Sequence, residues 1–155
     1  MIVVIILLAA FLISLAVFKL AGKQYEEARS ARVAMSAMLI MTAIGHFLFT
    51  KGMVMMLPDI VPYRTELVYF TGVIEIAAAI GLCLSRFRKL TAWLLIIFFT
   101  LLLPANIYQA THHVNLEKAT FDGSGPNYLW FRIPLQLFFI GWVYLSSLHI
   151  AKSAY

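Results

Sequence analysis

The sequence predicts an all-α, polytopic membrane helix bundle with five transmembrane helices, and three observations carry that prediction. Of its 155 residues, 63% are hydrophobic and only 12% charged, where soluble domains use about 45–50% apolar and about 25% charged residues. Five apolar runs each reach the roughly 20 residues that a helix needs to cross a bilayer. Mean hydropathy is +0.90, and the basic residues gather in short connections between the runs. The net charge of +5 is therefore an orientation signal, and no nucleic-acid partner is expected.

Residues 1–18 form an apolar run with no charged residue, and Lys19 and Lys23 follow it. A cleaved leader carries its basic residues before the apolar core, so a retained first helix is expected over about 2–21. The connection 21–32 sets Lys23, Arg29 and Arg32 against Glu26 and Glu27. A second span over about 33–56 places Thr42, His46 and Thr50 at i, i+4, i+8, on one helical face. Pro58 and Pro62 then break the chain into a compact turn. The third span, about 66–85, carries Tyr69, Thr71 and Glu75, and Arg86, Arg88 and Lys89 follow in a tight basic connection.

The fourth span, about 90–111, contains Pro104, which removes a backbone donor and predicts a kink. Asn106, Gln109 and His113 follow at i, i+3, i+7, again one expected face. Residues 114–127, with Asp122 and Pro126, form the one long loop. The fifth span, about 128–149, holds Arg132 and Gln136 at i, i+4 with Pro134 between them. Lys19, Lys23, Arg29, Arg32, Arg86, Arg88, Lys89 and Lys152 fall on one side, against Lys51, Arg64 and Lys118 on the other. That asymmetry predicts an amino end outside and a carboxyl end inside. No second domain or internal repeat is visible, so residues 1–155 are expected to form one membrane domain.

Glu75 organises the functional reading, because an ionisable group in mid-span costs about 2.5–3.5 kcal/mol on insertion scales and needs a partner. At about 1.5 Å of rise per residue, His46 and Glu75 both lie about 15 Å from the outer surface. Gln136 and Asn106 come at about 12 Å and 9 Å. If those faces converge, they enclose a polar pocket in the outer half of the membrane. Glu75 would pair there with Arg132 or His46, with Asn106, Gln109 and Gln136 completing the hydrogen bonds and Tyr69, Tyr128 and Trp130 at the rim. The plainer readings are that these groups glue helices together and that the aromatic residues anchor the interface. A buried ion pair is a poor source of stability, which favours function for Glu75.

No His/Glu pair has ligand spacing within one helix, so no metal is assigned, although a set of His46, Glu75 and His113 across helices stays open. The lone Cys83 has no intramolecular disulfide partner and is expected to serve packing.

Gly45-His46-Phe47, Pro58 and Pro62, Gly72-Val73-Ile74-Glu75, Pro104-Ala105-Asn106-Ile107, and Arg132-Ile133-Pro134-Leu135-Gln136 followed by Trp142 resemble the DoxX-like family of small bacterial membrane proteins. The resemblance covers about residues 31–150 and implies a four-helix core, to which the span over 1–21 is an addition. The family takes its name from a quinone-coupled thiosulfate-oxidising complex. The resemblance thus implies a redox role with His46, Glu75, Asn106, Arg132 and Gln136 as the family-like polar positions.

The expected protein is then an oxidoreductase-associated subunit of the bacterial cytoplasmic membrane, binding a quinone or similar amphiphile. Glu75 or His46 would exchange protons with the head group and Arg132 would stabilise its anion. Asn106, Gln109, Gln136, Tyr69 and Tyr128 would bind it. The chain supplies no electron donor, so a redox partner protein is expected beside membrane lipid. Solute or lipid transport without redox chemistry, or an assembly role, are the alternatives.

Overall fold

The computed structural model describes residues 2–21 and 27–149; Lys23, Glu26 and Lys152 of the charge count lie outside them. Its helices are α1 (Ile2–Leu20), α2 (Glu27–Leu48), α3 (Thr50–Val54), α4 (Arg64–Cys83), α5 (Arg88–Leu101), α6 (Leu103–Thr111) and α7 (Leu129–Tyr144). A 3₁₀ turn, Gly125–Tyr128, opens α7 and a π-helical turn, Leu145–His149, closes it. Among the described residues there is no strand, only an isolated bridge between Asn115 and Thr120. Five helical stretches are long and apolar enough to cross a membrane: Ile2–Leu20, Glu27–Leu48, Arg64–Cys83, Arg88–Thr111 and Gly125–His149. The protein is an all-α membrane helix bundle.

Four of these stretches make the bundle. The helix α2 packs chiefly on α4, and α4 packs on α5. In turn α5 packs on α7, and the π-helical turn returns to α2. Met35, Met38 and Leu39 meet Ala78, Ala79, Leu82, Leu95, Phe99, Phe139 and Val143 in one core. Large apolar side chains also cover the outside, among them Ile44, Phe70, Val73, Leu94, Ile97 and Leu137. Such a surface is an aggregation hazard in water and the ordinary contact surface in lipid. The helix α1 lies outside the four and buries only Leu7 and Ser14. Phe11 meets Trp142 edge-on at 5.2 Å, and Trp142 Nε1 donates to Ala31 O at 2.9 Å.

Two boundaries differ from the sequence expectation. The second span stops at Leu48 instead of running to residue 56, and Phe49 leaves helical geometry at φ −112°, ψ 29°. At the break Thr50 Oγ1 donates to His46 O at 2.7 Å and Phe47 O at 3.1 Å, bonds of a kind that bend helices. Thr50 therefore does not continue the face of Thr42 and His46. The fourth stretch divides at Leu102, and Pro104 takes the first turn of α6, where its missing N–H is least harmful.

The connections after α3 and α6 lie together at one end. An added Cβ at Gly52 would come within 2.0 Å of Leu116 O, so only glycine lets the long loop close on α3. At this end Arg64 donates to Asp59 at 2.5 Å and to Leu57 O at 3.3 Å. In the loop, Thr120 Oγ1 donates to Asp122, and Lys118 stands 3.9 Å from that carboxylate. The Thr120 hydroxyl, opposed by slight desolvation and helped by Lys118, holds the Asp122 carboxyl below its ordinary 3.8.

Contact between α2 and α4 is close because Gly72 faces His46; a Cβ there would lie 3.0 Å from His46 Cβ. Gly72→Leu is expected to force the two helices apart and to destabilise the bundle by about 1–3 kcal/mol, read as a lowered midpoint in detergent unfolding. Because the folded value of Asp122 is depressed, its contact with Thr120 is expected to persist above the ordinary carboxylate value and to be lost as pH falls through the lowered one. A carbon-13 NMR titration should show that midpoint below 3.8, and Thr120→Val should move it back up.

Candidate functional site

Two polar ladders run through the bundle, on opposite helix pairs. The first joins α2 and α4. His46 Nδ1 lies 3.0 Å from Val68 O and 3.1 Å from Thr71 Oγ1, while Thr71 itself donates to Val68 O at 2.8 Å. A carbonyl only accepts, so Nδ1 carries the hydrogen and Nε2 is presented to the other side. There it meets Glu75 Oε2 at 3.5 Å, in ion-pair rather than hydrogen-bond range, with side-chain exposures of 12% and 5%. Oε2 is buried and has no hydrogen-bond partner.

The second ladder joins α6 and α7. Arg132 Nε donates to Asn106 Oδ1 at 3.2 Å, and Asn106 Nδ2 donates to Gln136 Oε1 at 2.9 Å. Gln136 Nε2 then donates to Phe99 O. The cap bonds at the Leu102 break take the carbonyls of Phe98 and Thr100, and Gln136 answers the one between them. Asn106 and Gln136 are 2% and 5% exposed, depths at which an unanswered amide would be costly.

The structure thus brings together the expected residues in part. Of the two partners offered for Glu75, His46 is the one it meets, and Arg132 is bonded to Asn106 instead. Gln109 does not complete the Glu75 site. Its Nε2 donates to Val114 O at 3.3 Å and its Oε1 has no partner. With Tyr128 it lines a cavity of about 250 Å³ beneath the long loop. His113 leaves the face of Asn106 and Gln109, because α6 ends at Thr111 and His113 turns left-handed at φ 54°. Tyr69 stacks on Phe47 at 5.7 Å and lines a larger cavity of about 820 Å³ between α3, α4 and residues 116–119. Trp130 is 85% exposed on the outer surface. Neither of these two cavities is lined by Glu75, His46, Arg132, Asn106 or Gln136, and the expected polar residues divide between the two ladders. Cys83 is exposed, with Sγ 3.4 Å from Ser36 Oγ. Among the described residues no three His, Cys, Asp or Glu side chains group as a metal site.

The sequence reading passed over Val68 and Phe99, whose backbone carbonyls orient His46 and receive Gln136. No side-chain signal marks a carbonyl. Pro104 is the nearest clue to the second, since it disturbs the ladder just beyond it.

Residues 35–147 match the family described as Domain of unknown function (DUF8561), well over half of the chain. The chain belongs to that family. The DUF8561 match starts inside α2, ends in the π-helical turn and includes both ladders; α1 precedes it. Neither the curated proteins nor the solved structures compared with this DUF8561 chain gave a match.

Gln136→Leu is expected to leave Phe99 O and Asn106 Nδ2 unanswered and to destabilise the bundle by about 1–3 kcal/mol. Denaturant unfolding in detergent, with Leu137→Ala on the exposed face of the same helix as control, measures it.

Proposed function

We propose that the protein is a proton-exchanging subunit of a bacterial membrane oxidoreductase, whose His46–Glu75 pair serves the head group of a quinone-like amphiphile. The carrying observation is the buried Oε2 of Glu75, set against His46 Nε2 without a hydrogen bond. Contrast between the ladders supports the reading. Arg132, Asn106 and Gln136 complete one another's bonds, as residues that merely join helices should. Glu75 keeps an open position, at a depth where an idle carboxylate is expensive.

Such a group would meet the pair at that open oxygen, where a hydroxyl could donate or a carbonyl could receive a proton. When bound, a quinone supplies two-electron chemistry, with electrons from a partner protein. This chain's own part is to hold a proton between Nε2 and Oε2, with Val68 and Thr71 fixing the imidazole. Its apolar helices keep water away. Arg132, Asn106 and Gln136, first assigned to the anion and its carbonyls, hold α6 against α7 in this reading. The DoxX-like motifs around His46 and Glu75 support a redox-linked role.

Lys19, Arg29, Arg32, Arg86, Arg88 and Lys89 gather at the end opposite Lys51, Arg64 and Lys118, which supports a cytoplasmic basic end in a bacterial inner membrane.

Native mass spectrometry with lipid extraction tests the proposal. The purified protein is expected to carry a quinone, and Glu75→Gln to lose it by about tenfold or more, the effect of one charge-assisted hydrogen bond, with its melting curve unchanged. Absence of quinone from the wild-type protein, with proton-driven solute uptake in its place, would replace this reading by transport.

A further inference from the structure

The cavity of about 820 Å³ is not used by the proton-exchanging pair, and its walls are sorted by chemistry. Phe47, Leu48, Val54 and Met55 supply an apolar side at the point where α2 and α4 leave the span. Lys51 on α3 and Lys118 on the loop line the same space. These two lysines stand at the end of the bundle opposite the basic connections, where a positive charge does nothing for the expected orientation.

The other cation at that end, Arg64, is occupied by Asp59 and Leu57 O. Lys51 has no ion-pair partner among the described residues. Lys118 has only Asp122, at 3.9 Å with both side chains more than half exposed, a contact worth little. The Thr120 hydroxyl is the first support of the Asp122 carboxylate and Lys118 a lesser one. The clamp of Gly52 against Leu116 O fixes the loop over α3, so both lysines line one cavity and an anion seated there is attracted by both.

We propose that this cavity seats one anionic membrane lipid, its phosphate held by Lys51 and Lys118 and the start of its tails on the apolar wall. Glu117, exposed on the same rim, opposes the anion and weakens the site.

The test uses the whole protein in non-ionic detergent with equal amounts of dioleoyl phosphatidylglycerol and dioleoyl phosphatidylcholine, read by native mass spectrometry. At about fivefold per lysine near a membrane surface, the wild-type protein is expected to retain phosphatidylglycerol over phosphatidylcholine by about tenfold or more. The double variant Lys51→Gln, Lys118→Gln is expected to bring the ratio within about twofold, and Glu117→Gln to raise it. Equal retention of the two lipids by the wild-type protein overturns the proposal. So does a preference that survives in the double variant, which moves the lipid to Arg86, Arg88 and Lys89. Glu75→Gln should leave the ratio unchanged, which separates this site from the proton-exchanging pair.

Discussion

Everything in this bundle answers to the absence of water around its middle: each polar group there must find its partner inside the protein. The rule explains why polar side chains occur in ladders rather than singly. It explains why Ser36 Oγ, between α2 and α4, donates to Ala79 O at 2.8 Å. It also explains why the carbonyl exposed at the Leu102 break is taken by a side chain of another helix. The same rule makes Glu75 conspicuous, since its Oε2 is a carboxylate oxygen in mid-span that stays without a hydrogen bond, as Gln109 Oε1 does among the amides.

Small residues decide which helices come close enough to build those ladders. Gly72 lets α4 approach the His46 backbone, and Gly81 does the same for α4 against Thr91, whose Oγ1 would lie 2.4 Å from an added Cβ. In hydrocarbon, where no solvent drives apolar faces together, such close approach is the main attraction between helices. His46 and Glu75 meet because the backbones beside them can. The arrangement of α4 between α2 and α5 therefore follows from glycine placement as much as from the polar residues it brings together.

Much of the architecture was legible in the sequence, and the reason is the length of its apolar runs. Five spans, the basic connections and the turn at Pro58 and Pro62 follow from composition alone. The face shared by Arg132 and Gln136 follows from their spacing by four. Partner choice was less legible. Depth put Glu75 level with His46, and Arg132 was offered beside it as a second partner, but depth carries no information about which helices are neighbours or how each is rotated. Those depend on contacts far apart in sequence, and they sent Arg132 to Asn106 and Gln109 to Val114. The end of α2 was hidden for a different reason: Thr50 is compatible with helix by pattern, and the pattern does not show its hydroxyl turning to the carbonyls of His46 and Phe47 beside the break. His113 fell off its expected face because α6 ends at Thr111, before the periodicity reaches it, and His113 itself turns left-handed.

The bond from Gln136 to Phe99 O has a mechanical meaning. A kink at proline is ordinarily a property of one helix, but here the group that accommodates it stands on α7. A step of one residue around a helix turns the side chain through about 100°, far more than a single amide can follow. Bend in one rod and azimuth of the other thus share one hydrogen bond, and a change in either must stretch or break it.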